Sequence, residues 1–165
     1  MLGDYETARS YAEKGLKLQK ESGVPVLVPA TYLNLARIHL RAGYLDDARK
    51  CAEEALKLSE EFKTKLVEAL ARIELGRIIG EAHPSQIDLA QQQIRQGIIF
   101  AGEKELRTLS AYGYLLMGEV FELAGRREEA KENLSKADEM YQEMGMDPHS
   151  YWLTRTQEAL ARLEK

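Results

Sequence analysis

The side chains with chemical potential in this sequence are three histidines, one cysteine and several paired carboxylates. His39, His83 and His149 stand 44 and 66 residues apart, with no cysteine pair and no His-Glu-x-x-His spacing beside them. The donor set of a zinc site is therefore missing. His39 falls on the packing face of a helical pattern and reads as a structural residue, while His83 and His149 read as loop residues before helices. Cys51 follows Arg49 and Lys50, but neighbouring helix residues point in different directions and no histidine is at hand to activate it. It reads as a structural or surface thiol. Glu53-Glu54, Glu60-Glu61 and Glu128-Glu129 are carboxylate pairs, and acid/base work needs two carboxyls in different environments across a cleft. Beside Lys50, Lys57 and Lys131 they read as solvated helix faces. Gly76, Gly80, Gly97 and Gly102 follow neither the dinucleotide nor the P-loop pattern and read as packing or turn glycines. The chain is not expected to be an enzyme, and no metal or cofactor is expected.

Charged residues make up 30% of the 165 positions, and 27 acidic against 23 basic residues leave a net charge of −4. The two signs are interleaved, so there is no basic region of the kind that grips phosphate backbones, and nucleic acid is not an expected partner. No apolar run reaches membrane-spanning length. The start, Met1-Leu2-Gly3-Asp4-Tyr5-Glu6, lacks the basic and apolar segments of a secretion signal, and one cysteine forms no internal disulfide. The cytoplasm is the expected compartment.

Richness in Ala, Leu, Glu, Lys and Arg favours helices, and their arrangement repeats. Gly3 to Ala8, Gly43 to Ala48 and Gly125 to Ala130 each place a glycine five residues before an alanine. Small or apolar residues follow four and seven positions on: Ala12 and Gly15, Ala52 and Ala55, Leu134 and Ala137. A divergent copy has Ala90, Ile94 and Gly97. The four alanines are thus 40, 42 and 40 residues apart, and each set marks one face of a helix. Upstream of the last three copies runs a second helix: Tyr32, Leu35, Ala36, His39; then Arg72, Leu75, Gly76, Ile79; then Tyr114, Met117, Gly118, Phe121. The small residue at Ala36, Gly76 or Gly118 lets each helix approach its partner closely.

This combined pattern resembles the tetratricopeptide repeat family over nearly the whole chain. Two departures stand out: the family's tryptophan-type position is Tyr32, Arg72 or Tyr114, and its helix-ending proline is absent. The 40-residue period exceeds the family's usual 34 and is similar to the lengthened arrays in C-terminal parts of bacterial signalling ATPases, transcription regulators and nucleotide cyclases. The resemblance implies an all-α, right-handed superhelix of antiparallel helix pairs, an α-solenoid.

The expected helices run over 4–22, 26–42, 45–61, 64–80, 85–101, 106–124, 126–144 and 149–164. Pro25 and Pro29 open the second, Ser85 with Asp88 makes a capping box, and Asp147-Pro148 starts the last. One repeat domain, 1–165, then divides into an orphan second helix (1–24), three helix pairs (25–62, 63–104, 105–146) and a capping helix (147–165). An opening on the second helix of a pair reads as excision from a longer array, with Met1 added. Tyr5, Tyr11, Leu16 and Leu18 are expected to form an exposed apolar edge open to self-association.

In the resembled family the first helix of each pair lines the concave side. Its residues not used in packing are Leu33, Asn34, Arg37 and Arg41; Leu70, Ile73, Glu74 and Arg77; Tyr112, Leu115, Glu119 and Glu122. One end then reads as basic and the other as acidic. Asn34 matches an asparagine with which chaperone-binding relatives grip a terminal carboxylate, but the accompanying basic positions are Leu70 and Glu74, so that activity is not implied. The expected function is a non-catalytic scaffold, part of a larger signalling or regulatory protein, binding a protein, as a peptide or helix, in this groove. The alternative is a small-ligand-responsive regulatory domain of an ATPase or nucleotide cyclase.

Overall fold

The computed structural model describes residues 2–164, with side chains from Asp4 onward, so the reading of Met1 lies outside it. Among these residues are eight α-helices: α1 (Leu2–Glu21), α2 (Val28–Arg41), α3 (Leu45–Glu61), α4 (Lys65–Ala82), α5 (Ile87–Glu103), α6 (Arg107–Leu123), α7 (Arg127–Glu143) and α8 (Tyr151–Leu163). The bounds fall within two residues of those expected. Single 3-10 turns, Pro25–Leu27 and Pro84–Gln86, lead into α2 and α5.

Two start signals act differently from the expectation. Ser85 lies inside the second 3-10 turn, Gln86 is the N-cap of α5, and no side chain caps it; the proline-led turn has replaced the capping box. Asp147 instead folds back to accept the backbone N–H of His149 at 2.7 Å, which delays α8 until Tyr151. Helices end through residues in the left-handed region. Gly43 and Gly125 take φ of 80° and 72°, and Lys63 and Glu105 take 56° and 55° at the equivalent step after α3 and α5.

The small residues explain the pairing of α2 with α3, α4 with α5 and α6 with α7, which are in extensive contact. A Cβ added at Gly76 would lie 2.5 Å from the Ala90 carbonyl oxygen, and one at Gly97 would lie 2.5 Å from Ile73 Cγ1 and 2.8 Å from the Ala69 carbonyl oxygen. The helices approach to the limit that glycine permits. Ile73, Ile94, Leu115 and Leu134 fill the seams and are fully buried, each worth roughly 1.5–3 kcal/mol.

The first and last helices differ from the rest. Ala8 is exposed and a Cβ added at Gly15 would meet no other helix within 4 Å, whereas Ala48, Ala52 and Ala55 are completely buried. Of the expected apolar edge, Tyr11 and Leu18 are open, at 70% and 65% exposure. Tyr5 and Leu16 are half-buried, because Tyr5 turns inward: its hydroxyl lies 3.1 Å from His39 Nδ1 and its ring 5.1 Å from that of Tyr44. Burial in this seam holds the His39 pKa below the usual histidine range. α8 buries Leu153, Thr156, Ala159 and Leu163 and turns Thr154, Gln157, Glu158 and Ala161 outward.

Candidate functional site: an inner-face cavity

Beyond the pair contacts, α2 packs on α4, α4 on α6 and α6 on α8, while the odd-numbered helices are not comparably packed on one another. The even-numbered helices therefore lie on the inside of the curve. Between them opens a cavity of about 1180 Å³.

Asn34, Arg37, Arg41, Glu74, Arg77 and Tyr112, drawn from three helices, all line this cavity. Glu74 is the buried carboxylate among them. The side chain is 1% exposed, and its Oε1 accepts from Arg37 Nε at 2.8 Å and from the Tyr112 hydroxyl. Its Oε2 is buried with no partner. A carboxylate thus ties α2 and α6 to α4. Burial works against the charge on Arg37, but Glu74 more than offsets it and the pKa is raised. Burial, then Glu74, pushes the Tyr112 phenol up, so it stays protonated and donates. Arg77 is held by Nε on Glu81 at 2.6 Å. Arg41 and Asn34 are exposed at the rim.

Glu119 and Glu122 do not line the cavity. Glu119 holds Arg155 through two bonds, of 2.6 and 2.5 Å, and Glu122 holds Arg162 at 3.0 and 2.9 Å. The expected acidic end is therefore neutralised by α8, just as Glu74 neutralises Arg37 at the expected basic end. Leu33, Ile73 and Leu115 also depart from the expectation, because they are core residues at 3%, 0% and 0% exposure. Leu70 is half-buried and reaches the cavity.

α8 supplies what the groove reading lacked. Tyr151, Trp152 and Arg155 line the cavity, and the Trp152 ring meets that of Tyr112 edge-on at 4.8 Å. The signal was available: α8 continues the alternation that puts every second helix on the inside. The cavity therefore combines five guanidinium groups (Arg37, Arg41, Arg77, Arg107, Arg155), one buried carboxylate and an aromatic wall. Cys51 is remote from it, half-buried, with its thiol pKa pushed up by burial. No group of three or more metal-ligating side chains occurs among the described residues, and none of their helices is long and apolar enough to cross a membrane.

Residues 29–62, which are α2 and α3, match the family model described as a tetratricopeptide repeat. No curated protein matches the chain in sequence. Among solved structures, BtubC (BKLC) from P. vanneervenii is similar with a TM-score of 0.78 at 22% identity, over 98% of this chain and 65% of that one. The apo form of RapI gives 0.76 at 14% identity, over 97% and 57%. Nearly identical tetratricopeptide-like repeats assigned to a kinesin light chain of P. anserina give 0.66 at 18% identity, over 98% and 78%. At these identities the likeness concerns the fold, and the chain spans about three fifths of the length of the first two.

Proposed function

We propose that this helical repeat chain, one of whose helix pairs matches the tetratricopeptide repeat model, is an interaction scaffold with an extended inner surface whose cavity binds a peptide or helix of a protein partner. The observation that carries this reading is the cavity itself. It is lined by residues of α2, α4, α6 and α8 and is long enough along the inner face for a peptide segment. Its volume of about 1180 Å³ is just above the roughly 300–1,000 Å³ of small-molecule pockets. In this reading Asn34 and Arg41 receive the partner at the rim, and Arg37, Glu74, Arg77 and Tyr112 receive it inside. Residues 25–62, 63–104 and 105–146 act as the repeating units, with α8 closing the site.

The test is selection of a random dodecapeptide display library on the chain, followed by affinity measurement on the double variant Arg41→Glu/Leu66→Asp. Both positions are exposed and line the cavity, so the fold tolerates the change. Selected peptides are expected to bind the variant at least about tenfold more weakly, the loss of one charge-assisted contact. Unchanged affinity, or no selectable peptide, refutes the cavity reading. Tyr11 and Leu18 support a second proposed contact, self-association through α1. A strict monomer in concentrated sedimentation runs removes it.

A further inference from the structure

Among the described residues, three side-chain hydrogen bonds join α1 to the rest of the chain: Tyr5 to His39, Gln19 to Thr31 and Lys20 to Tyr32. The last two lie beside the 22–27 connection, which already tethers that end of the helix. The ion pairs of α1, Arg9–Glu13 and Lys17–Glu21, stay within it. Ala8 is exposed and a Cβ at Gly15 would meet no other helix within 4 Å, so the small face adds little grip. The polar tie of the N-terminal half is therefore the cluster of Tyr5, His39 and Tyr44, whose ring centroids stand 5.9, 5.1 and 6.5 Å apart. One member of that cluster is titratable near neutral pH.

His39 is 8% exposed beneath the Tyr5 and Tyr44 rings. The Tyr5 hydroxyl serves Nδ1 as donor to the neutral ring or as acceptor from the charged one, so the hydrogen bond does not choose between the two forms. Burial does, because a charged imidazole loses its water there. Asp47 of α3 and Glu13 of α1 favour the charge and Arg9 of α1 opposes it, while the last turn of α2, where His39 lies, favours it. Arg9 and Glu13 bind each other at 2.8 Å and largely cancel, so burial prevails and the docked ring charges less readily than a free histidine. With α1 undocked, the ring is in water and charges as usual. Docking is therefore complete above about pH 6.5 and weakens as the pH falls below it. We propose that His39 makes α1 an acid-released arm: protonation of the ring undocks the first half of the helix and uncovers the His39–Tyr44 end of the α2–α3 pair.

Hydrogen exchange on the full chain tests this, with rates at pH 7.5 and 5.5 referred to the intrinsic rate at each pH and amides of α1 compared with those of α6. An exposed histidine of ordinary pKa, about 6.5, favours opening by up to about tenfold over that interval. In the wild type, α1 protection is expected to lie below that of α6 at both pH values and to fall by about twofold to tenfold on acidification. His39→Phe fills the seam and carries no charge, so its α1 protection is expected to stay within about twofold. A smaller fall in the wild type, or an equal fall in His39→Phe, overturns the proposal. So does α1 protection equal to that of α6, which would mean that α1 opens only with the whole chain, or an α1 unprotected at both pH values. If circular dichroism shows His39→Phe unfolded, His39→Gln, polar and neutral at both pH values, takes its place.

Discussion

Gly15 and Gly97 occupy the same place in two copies of the repeat, and substituting alanine at each is expected to shift stability in opposite directions. An alanine in a helix interior is favoured over glycine by about 0.8–1.0 kcal/mol. At Gly15 nothing lies within 4 Å of the new methyl, so Gly15→Ala keeps the whole gain, about 1 kcal/mol. At Gly97 the methyl would lie 2.5 Å from Ile73 Cγ1 and 2.8 Å from the Ala69 carbonyl oxygen. Ile73 can change rotamer, but the backbone oxygen moves only if α4 moves off α5. Overpacking of this kind costs about 1–3 kcal/mol, and a backbone collision belongs at the upper end. Less the helical gain, Gly97→Ala is expected to destabilise by about 2 kcal/mol.

Thermal unfolding followed by helical circular dichroism separates the two. At about 2–4 °C per kcal/mol for a chain of this size, the expected changes are a rise of about 3 °C for Gly15→Ala and a fall of about 6 °C for Gly97→Ala. If α1 opens ahead of the rest, the Gly15→Ala gain appears as slower amide exchange within Leu2–Glu21. A destabilising Gly15→Ala would mean that the small face of α1 is covered in solution. A neutral Gly97→Ala would refute the close approach of α4 and α5.

Lys63 holds a left-handed conformation at φ 56° and is exposed, so Lys63→Gly is expected to raise stability by about 1 kcal/mol in urea unfolding. Arg37→Met leaves the buried Glu74 carboxylate with one donor and is expected to cost about 3 kcal/mol; a double-mutant cycle with Glu74→Met should return much of that loss, and additive losses would show that the pair is not coupled. His39 has a depressed folded pKa, so the unfolded chain takes up its proton first, and its contribution is complete above about pH 6.5 and declines as the pH falls below it. Tyr5, Tyr44, Asp47, Arg9 and Glu13 are the polar and charged groups around it. Between pH 7.5 and 5.5, His39→Phe is expected to lose less stability than the wild type, and parallel curves would show that His39 does not titrate differently on folding.

The pairing of helices was legible because Ala36, Gly76 and Gly118 recur against Ala48, Ala90 and Ala130, and only small residues allow backbones that close. The inner face was legible only in part. Asn34, Arg37, Arg41, Glu74, Arg77 and Tyr112 fall together because helical period alone sets them on one side. Leu33, Ile73 and Leu115 lie on the adjoining strip of helix surface, and whether that strip faces the groove or the next helix depends on the rotation of each helix against its neighbour, which spacing does not encode. Glu119 and Glu122 read as free acids because their partners, Arg155 and Arg162, come from a helix whose register is set by the irregular 144–150 connection. The unused oxygen of Glu74 was beyond sequence reasoning altogether, since it depends on which of two oxygens its neighbours reach.

The cross-ties on the inner face also give the solenoid a graded mechanical character. Opening the curve must stretch Arg37–Glu74 and Glu74–Tyr112 between α2, α4 and α6, and Arg155–Glu119 and Arg162–Glu122 between α6 and α8. These ties differ in their shelter from dissolved ions: Glu74 is 1% exposed, whereas Arg162 is 52% exposed. Added salt screens the second kind and scarcely reaches the first. The array is therefore expected to keep its stiffness through Glu74 and through Arg155–Glu119, which is 17% exposed on each side, while the outermost tie, Arg162–Glu122, weakens as ionic strength rises.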